Sequence, residues 1–267
     1  MADYTPAQLR DALAEVGLGA GDTVYCHSNI GLFGRPEGIS SAAQLAQTYL
    51  DALLDAIGPT GTLLVPTYTY SFCRKQLFDP AQTGSAMGLL AEHVRTRPNA
   101  VRSADPCFSV AVLGRDGERF CHDLPPNSFA PGSTFDRFAA ENGKILCLNH
   151  PGCTHLHYVE RQLRVPYRFD KAFHGVLRQQ GRDCEMDWEI FVRYLSDDKL
   201  EHDPHPFVAR IKSSGAARWR ALGRGEILAI TARDVFDCVA QALPQSPWLL
   251  TEAHAAGIDP VVDPLCR

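Results

Sequence analysis

The chain has 267 residues, of which 45% are hydrophobic and 21% are charged, so it has the composition of a globular protein and can bury the core of one large α/β domain. A net charge of -5 argues against nucleic acid as a partner, because phosphate backbones need clustered basic residues. No apolar run is long enough to cross a membrane, and the polar start lacks the basic and apolar segments of a signal peptide. We therefore expect a cytoplasmic protein with no membrane partner.

Hydrophobic periodicity predicts helices that alternate with strands along the chain. The first half is expected to contain a helix over 5–16, a strand over 23–26, a helix over 41–57, a strand over 62–65 and a helix over 88–96. The second half is expected to contain strands over 109–113, 144–148 and 226–230 and a closing helix over 232–243. This alternation predicts the α/β class, as a layered α/β/α sandwich with a mixed, partly parallel central sheet.

Residues 170–222 are more polar and less regular than the rest of the sequence. We interpret them as an insertion or flap on a single domain that spans 1–267. No internal repeat or low-complexity segment suggests a second domain.

Nine cysteines are scattered along the chain in an odd number, which is typical of a protein from a reducing compartment. Five potential metal ligands crowd one strand-to-helix turn: Cys147, His150, Cys153, His155 and His157. Structural zinc sites place paired ligands on either side of an intervening segment. This cluster lacks that spacing, so we expect no metal.

The segment 147–168 brings imidazoles, a carboxylate and arginines together directly after the strand predicted over 144–148. Thr154 can cap a helix on which His157 and Glu160 are three residues apart and share one face. An imidazole beside a carboxylate is a plausible oriented general base. The alternative is a histidine at a helix start with a solvated glutamate.

Two glycines, Gly31 and Gly34, follow the strand predicted over 23–26. Glycines after a strand let backbone amides approach the phosphates or the carbonyl of a ligand closely. An ordinary tight turn would have the same composition.

Six groups of residues, taken in order, resemble one enzyme family over about residues 5–240. They are His27-Ser28-Asn29-Ile30 with Gly31 and Gly34; the run from Gly58 through Pro66-Thr67; Thr83 with Met87-Gly88, Glu92 and Arg95; Arg102-Ser103 with Pro106 and Ser109; Gly132-Ser133-Thr134-Phe135-Asp136-Arg137; and Thr154, Leu156, His157 and Glu160 with Val165-Pro166-Tyr167-Arg168. Their order and spacing are similar to those of the aminoglycoside 3-N-acetyltransferases.

The sequence departs from the family pattern at three places. Asp105 stands where the family usually has histidine, Thr134 replaces a proline, and residues 149–153 replace a more glycine-rich approach to the catalytic helix. The departures affect the expected acceptor side more than the donor side. The resemblance therefore implies acetyl transfer from acetyl-CoA to an amine more strongly than it implies an antibiotic as the acceptor.

The resemblance also implies positions for the two substrates. Acetyl-CoA is expected at His27, Ser28, Asn29, Gly31, Gly34, Ser103 and Ser109, and Arg102 either contacts a CoA phosphate or makes a structural ion pair. The small-molecule amine acceptor is expected near Thr67, Tyr68, Arg164 and Arg168.

For catalysis, we expect His157 to remove a proton from the acceptor amine and a carboxylate to orient the imidazole. Glu160 is one candidate for that carboxylate, and Asp187 or Glu189 is another. The expected route is direct transfer in a ternary complex.

Two further expectations concern the oxyanion and a competing covalent route. The hydroxyl of Thr154 and the backbone amides around Ser28 are candidates to stabilise the oxyanion. An acyl-enzyme on Cys153 is the competing route to direct transfer.

The basic residues Arg161, Arg164, Arg168 and Lys171 surround His157 in the sequence, with Asp170 among them. Such a cluster would attract an anionic amine and repel a polycation. The first hypothesis is therefore an N-acetyltransferase for an amino sugar or related amine, for example a nucleotide-linked amino sugar.

Other functions stay open at this point. An aminoglycoside acetyltransferase that confers antibiotic resistance would be distinguished by a strongly acidic acceptor cleft. A metal-dependent hydrolase and a catalytically silent CoA-binding protein are further alternatives. The sequence does not set the oligomeric state, and a homodimer is one expectation.

Overall fold

The computed structural model of the chain describes residues 2–266. The strands are Thr23–Ser28 (β1), Thr62–Pro66 (β2), Val101–Arg102 (β3), Val110–Gly114 (β4), Lys144–Leu148 (β5), Arg168–Gln179 (β6), Arg182–Arg193 (β7), Arg218–Leu222 (β8) and Gly225–Thr231 (β9). The α-helices are Pro6–Glu15 (α1), Ala42–Ile57 (α2), Leu89–Arg95 (α3), Gly117–Cys121 (α4), Thr134–Ala140 (α5), His155–Gln162 (α6), His205–Ser213 (α7), Ala232–Ala242 (α8) and Glu252–Ala256 (α9). Short 3-10 helices lie at Ile30–Phe33, Phe72–Arg74 and Asp198–Leu200.

Seven strands form the main sheet in the order β3-β4-β2-β1-β5-β9-β8. The three central strands β2, β1 and β5 are parallel, and the other pairs are antiparallel. Helices lie on both faces of this sheet. The predicted mixed, partly parallel sheet in a layered sandwich is therefore confirmed.

Local signals define the first two helices. The Thr5 side chain accepts from the Gln8 backbone amide, the Gln8 side chain accepts from the Thr5 amide, and Pro6 occupies the first helical position. The Ser41 side chain caps α2, and Gly58 ends it with a φ of 64°. These two helices lie within a residue or two of the predicted bounds.

Side chains that alternate along the strands belong to two separate hydrophobic cores, one on each face of the sheet. Val24 and Cys26 of β1 point to the face covered by α1, α2 and α3, whereas Tyr25 points to the face covered by α5, α6 and α8. This period of two follows from the pleat of a strand. Because β1 and β5 are parallel, their carboxyl ends lie together and lead into the His27 loop and into α6.

The segment 170–222 is more regular than we predicted. Strands β6 and β7 pair over their full length in a long antiparallel hairpin, and β8 joins the edge of the main sheet. The polar composition misled the sequence analysis because one face of the hairpin is open to solvent. The assignment of 1–267 to a single domain stays a prediction.

The hairpin is fixed to the body of the protein by specific contacts. The Phe78 amide donates to the Val176 carbonyl at 2.9 Å, and the Arg178 amide donates to the Phe78 carbonyl at 2.8 Å. On β7, the Trp188 Nε1 donates to the Ser128 hydroxyl at 3.0 Å. Gly175 lies directly against the Phe72 ring. The hairpin is therefore held against two loops of the body.

No helix within residues 2–266 has the length and apolar character that crossing a bilayer requires.

Replacing Gly175 should show how closely the hairpin packs on the body. In Gly175→Ala the new Cβ overlaps the buried Phe72 ring, and we expect a loss of roughly 1–3 kcal/mol in the free energy of unfolding, as for other overpacked sites. Urea unfolding measures this loss. Gly84→Ala is the matched control, because a Cβ there meets no atom within 4 Å. Equal stability of the two variants would contradict the close packing.

Candidate active site

The catalytic candidate His157 lies in the first turns of α6, just after the carboxyl end of β5. Thr154 precedes this helix but does not cap it with its side chain, contrary to our prediction. Its backbone is already helical (φ -66°, ψ -20°), whereas capping residues normally adopt an extended backbone. Instead, the Thr154 amide donates to His27 Nε2 at 3.3 Å, which connects the two loops.

His157 and Glu160 contact each other, as their spacing predicts. The distance from His157 Nδ1 to Glu160 Oε2 is 2.7 Å. Glu160 has no solvent exposure, and it also accepts from the Tyr167 hydroxyl at 2.9 Å and forms an ion pair with Arg168 Nε at 3.0 Å. The His157 side chain retains 17% exposure, so its ring reaches the surface while its partner does not.

The electrostatics of this group determine which nitrogen of His157 is free. Burial alone would raise the Glu160 pKa, but Arg168 and His157 together lower that pKa to about 2. A carboxylate only accepts hydrogen bonds, so we assign the proton of the neutral imidazole to Nδ1. The lone pair of Nε2 then remains available to take a proton from a substrate.

The His157 imidazole is held in its neutral form near pH 7. Burial lowers its pKa from the ordinary 6.5, and the Arg168 charge lowers it further, which together outweigh the opposite effect of Glu160. A base that is deprotonated at working pH is ready to accept a proton.

His202 is a neighbour of His157 that the sequence analysis missed. The two rings meet edge to face with centroids 4.8 Å apart, and burial lowers the pKa of His202 to about 3. Among the described atoms, no hydrogen-bond partner is found for the buried His202 Nδ1. His202 lies between the 3-10 helix Asp198–Leu200 and α7, and no local pattern connects it to α6.

Within residues 2–266, the group of side chains that brings three metal-binding atoms within 4.8 Å of one another consists of His157, Glu160 and His202. Glu160 is already paired with the Arg168 guanidinium, whose positive charge opposes a second cation at this position. The expected absence of a metal stays a prediction.

The crowded cysteines and histidines of the strand-to-helix turn do not converge on one point either. The Cys147 thiol donates to the Gly152 carbonyl at 3.8 Å, and the buried His155 ring packs against Tyr158. Burial raises the Cys153 pKa to about 12. A thiol with such a pKa is almost fully protonated at neutral pH, which argues against the acyl-cysteine route.

Asp187 does not orient His157, contrary to one of our predictions. It lies on the exposed face of β7 and contacts His174 Nδ1 at 2.9 Å. Glu189 lies on the same strand and accepts from the Asn127 amide at 2.9 Å. Glu160 takes the position at Nδ1 of His157 because the two residues are three apart on one helix.

Most arginines of this segment form ion pairs or hydrogen bonds with other groups of the protein. Arg168 pairs with Glu160 and donates to the Phe191 carbonyl at 3.3 Å, so its predicted role in binding the acceptor is not supported. Arg161 forms a two-pronged ion pair with Asp170, with bonds of 2.9 Å. Arg164 is exposed just past the end of α6 and has a φ of 52°.

The loop after β1 carries the residues predicted to bind the donor. His27 is buried, Ser28 is half-buried at the strand end, and the Asn29 side-chain amide donates to the Asn149 carbonyl at 3.2 Å. Gly31 is exposed, and the space beyond its Cα is open.

Gly34 ends the 3-10 helix Ile30–Phe33 with a φ of 93°, a backbone conformation that favours glycine. A Cβ at this position would also overlap the Asp3 carboxylate. The chain conformation therefore explains this glycine without a ligand, as in the tight-turn alternative.

Four residues predicted to bind substrates form a buried polar cluster instead. The Ser109 hydroxyl donates to the Thr67 carbonyl at 2.7 Å, and the Ser103 hydroxyl accepts from the Val110 amide at 2.9 Å. Arg102 donates to both hydroxyls of Thr67 and Ser109 and to the carbonyls of Pro80, Thr83 and Thr67. Thr67, Ser103 and Ser109 are fully buried, so in this structure these contacts replace the predicted ones to acetyl-CoA and acceptor.

Tyr68, the other residue predicted to contact the acceptor, is also buried. Its hydroxyl forms a short hydrogen bond with Tyr25 and contacts the Thr154 side chain. Tyr68 thus contacts the loop that precedes α6 from the interior of the protein.

The replacement of the family histidine by Asp105 has a structural explanation. The buried Asp105 carboxylate accepts from the amides of Cys107 and Phe108 at 2.8 and 2.7 Å. Burial is the main cause that raises its pKa. Asp105 therefore fixes the turn before β4. The Phe108 ring of that turn packs edge to face on the Tyr68 ring, with the two ring centroids 5.0 Å apart.

A cleft of about 700 Å³ lies between the hairpin tip and the body, where Arg102, Asp123, Arg178 and Trp188 line it. None of its lining residues belongs to α6. The His157 group therefore does not open into this cleft.

Comparisons with known proteins agree with this fold and site. The sequence profile of the family described as aminoglycoside 3-N-acetyltransferase matches residues 27–244. The aminoglycoside N(3)-acetyltransferase VII of Streptomyces paromomycinus is 32% identical over 265 residues, which cover 87% of this chain and 89% of the relative. The aminoglycoside N(3)-acetyltransferase III of a Salmonella species is 29% identical over 220 residues, 74% of each chain.

Solved structures give the same result. The crystal structure of the aminoglycoside acetyltransferase AAC(3)-Xa has a TM-score of 0.75 and 27% identity, and the match covers 94% of this chain and 93% of that one. The structure of AAC-IIIb in a binary complex with CoASH has a TM-score of 0.75 at 23% identity over 91% of this chain and 97% of that one, a similarity of fold.

These matches define the chain as an acyltransferase that transfers an acyl group to a nitrogen atom. More specifically, it belongs to the aminoglycoside 3-N-acetyltransferase family, as the resemblance in the sequence indicated.

The pKa of His157 can be measured directly. An NMR titration of its ring, assigned with His157→Asn, should give a midpoint below the ordinary 6.5, because burial and Arg168 both favour the neutral imidazole. Arg168→Met removes a nearby positive charge, so the midpoint should rise in that variant. A wild-type midpoint at or above 6.5, or a lower midpoint in Arg168→Met, would contradict the described electrostatics.

Proposed function

We propose that this enzyme transfers the acetyl group of acetyl-CoA to an amino group of an aminoglycoside, with His157 as the general base. The main support for this acceptor is an acidic stripe on the hairpin. Asp183, Glu185, Asp187 and Glu189 occupy alternate positions of β7 and are all exposed. Alternate residues of a strand share a face, so four carboxylates line one side of the hairpin.

The stripe starts beside the catalytic helix. Asp170 of β6 lies on the same face and pairs with Arg161 of α6. Asn127 donates to both Asp170 and Glu189, and nearby Phe129 packs edge to face on His157 with a centroid distance of 6.2 Å. The acidic face is therefore connected to the His157 environment through one short loop.

Two carboxylates of the stripe contact basic side chains, and the other two do not. Asp183 pairs with Arg178, and Asp187 contacts His174. Glu185 is exposed, and Glu189 is hydrogen-bonded to the neutral amide of Asn127. A row of carboxylates attracts a polyamine and repels a phosphate-bearing compound.

The earlier preference for an anionic acceptor depended on free arginines near His157. Arg161 and Arg168 are instead neutralised by Asp170 and Glu160. Two of the four basic residues that favoured a nucleotide-linked amino sugar are thus paired within the protein, and the names of the curated relatives support the aminoglycoside.

The proposed reaction follows from the hydrogen bonds of His157. Nε2 takes a proton from the neutral acceptor amine while its nitrogen attacks the thioester carbonyl. The carbon–sulfur bond then breaks, and the imidazolium returns that proton to the sulfur, so CoA leaves as a thiol. Glu160 stabilises the imidazolium through the proton on Nδ1, as the carboxylate of a hydrolase triad does. The Thr154 hydroxyl and the backbone near Ser28 remain our candidates for stabilising the oxyanion, and the exposed backbone at Gly31 for contacting the donor.

The acceptor is tested by a thiol-release assay with acetyl-CoA, several aminoglycosides and a nucleotide-linked amino sugar. We expect release with the aminoglycosides, and the double variant Glu185→Gln/Glu189→Gln should raise their KM about three- to tenfold at low salt, with kcat little changed, because each exposed charge contributes roughly 0.3–0.7 kcal/mol. Asp55→Asn, an exposed change on α2, is the control. Turnover of the anionic amine alone would contradict the proposed acceptor.

The role of His157 is tested separately. His157→Asn should lower kcat by about two to four orders of magnitude, because a general base is lost, and leave acetyl-CoA affinity nearly unchanged in calorimetry. His254→Asn on α9 serves as the control. Most of the turnover remaining in His157→Asn, with an intact fold by circular dichroism, would remove His157 from the mechanism.

A further inference from the structure

Two thiols outside the catalytic group are in direct contact. The sulfurs of Cys73 and Cys107 are 3.7 Å apart. The backbone holds their segments together, since the Tyr70 amide donates to the Cys107 carbonyl at 3.4 Å and the Ser71 amide donates to the Pro106 carbonyl at 2.9 Å. The two cysteines are 34 residues apart in sequence, so the fold creates this pair.

The environments of the two thiols differ. Cys73 is half-buried in the 3-10 helix Phe72–Arg74, and the residues that follow it, Arg74 and Lys75, are exposed cations. Cys107 has no solvent exposure. The hydrogen bond with Cys107 lowers the pKa of Cys73, and the same contact together with burial raises the pKa of Cys107. An accessible thiol beside a buried one is the arrangement of an attacking and a resolving cysteine.

The other buried cysteines lack these properties. Burial raises the pKa of Cys26, Cys121 and Cys147, and these thiols donate to the backbone carbonyls of His27, Val101 and Gly152 and not to a second thiol. Cys184 and Cys266 are exposed, and across residues 2–266 neither has a hydrogen bond to a second thiol.

We propose that Cys73 and Cys107 are a redox modification site that forms a reversible intramolecular disulfide by reaction with low-molecular-weight disulfides such as oxidised glutathione. The Cys73 thiolate attacks one sulfur of the small disulfide and releases one small thiol. The Cys107 thiol then attacks Cys73 Sγ, the bond between Cys73 and the small thiol breaks, and the departing thiolate takes up the Cys107 proton. One disulfide is thus reduced as another forms, and no other oxidant is needed.

The geometry requires only a small movement. A disulfide bond is about 2.05 Å long, so the sulfurs must approach each other by less than about 2 Å. Arg74 favours the thiolate of Cys73, and the exposed Arg74 and Lys75 attract the carboxylates of glutathione. Cys107 is followed by Phe108, whose ring contacts Tyr68, so the bond would tie the loop after β2 to the turn below the catalytic helix. This inference is independent of the proposed acceptor.

The test uses full-length protein in which the two exposed thiols are removed as Cys184→Ser/Cys266→Ser. Incubation with oxidised glutathione, followed by intact-mass measurement, should show the loss of two hydrogen masses, which dithiothreitol reverses. Peptide mapping should assign the bond to Cys73 and Cys107. Absence of this bond at glutathione concentrations that oxidise ordinary protein dithiols, or a bond between other cysteines, would overturn the proposal.

Two variants separate the roles of the thiols. In Cys107→Ser the adduct on Cys73 cannot be resolved, so we expect one stable glutathionyl group, and in Cys73→Ser we expect neither the adduct nor the disulfide. Cys107→Ala replaces Cys107→Ser if the serine variant does not fold. A stable glutathionyl group on Cys107 in Cys73→Ser would overturn the assigned order of attack.

Discussion

The site depends on one buried carboxylate. Glu160 has no exposure and is shared by three neighbours, His157, Tyr167 and Arg168. An uncompensated charge of this kind would be strongly destabilising, and removing one partner of a buried pair typically costs about 3–5 kcal/mol. The same contacts that make Glu160 tolerable in the interior also orient the imidazole and connect α6 to the start of β6. The contacts that stabilise Glu160 in the interior are therefore the same ones that position the proposed base, and they all lie between residues 157 and 168.

Much of this could be predicted from local sequence. Helix α2 follows from its Ser41 cap and Gly58 end, and β5 from its short apolar run, because these signals lie within the elements themselves. The contact between His157 and Glu160 follows from their spacing on a helix. The pattern of β7 was also readable: acidic residues alternate with Cys184, Met186, Trp188 and Ile190, which is the period of a half-buried strand. The high polarity of the segment concealed that period.

The errors concern contacts between residues distant in sequence. Arg102 was expected either at a CoA phosphate or in a structural ion pair, but the fold surrounds its guanidinium with carbonyls from the segment after β2. His202 reaches His157 only because the chain returns after the hairpin, and no local motif marks it. Arg168 pairs with Glu160 and not with Asp170, since a strand start and a helix face meet there. For Arg102 and Arg168 the residue type suggested a ligand, and the tertiary structure supplied a protein partner instead.

The distribution of charge around His157 connects the fold to the choice of acceptor. Burial lowers the pKa of His27, His155 and His202, so these imidazoles are neutral near pH 7. Arg161 and Arg168 are neutralised by carboxylates that lie beside them. The interior of the site therefore contributes little positive potential, although its sequence is rich in basic residues. Arg164 and Lys171 still contribute positive charge near α6, whereas four carboxylates lie along the exposed face of β7. That row of carboxylates attracts a substrate with several ammonium groups, which is the electrostatic basis of the proposed aminoglycoside acceptor.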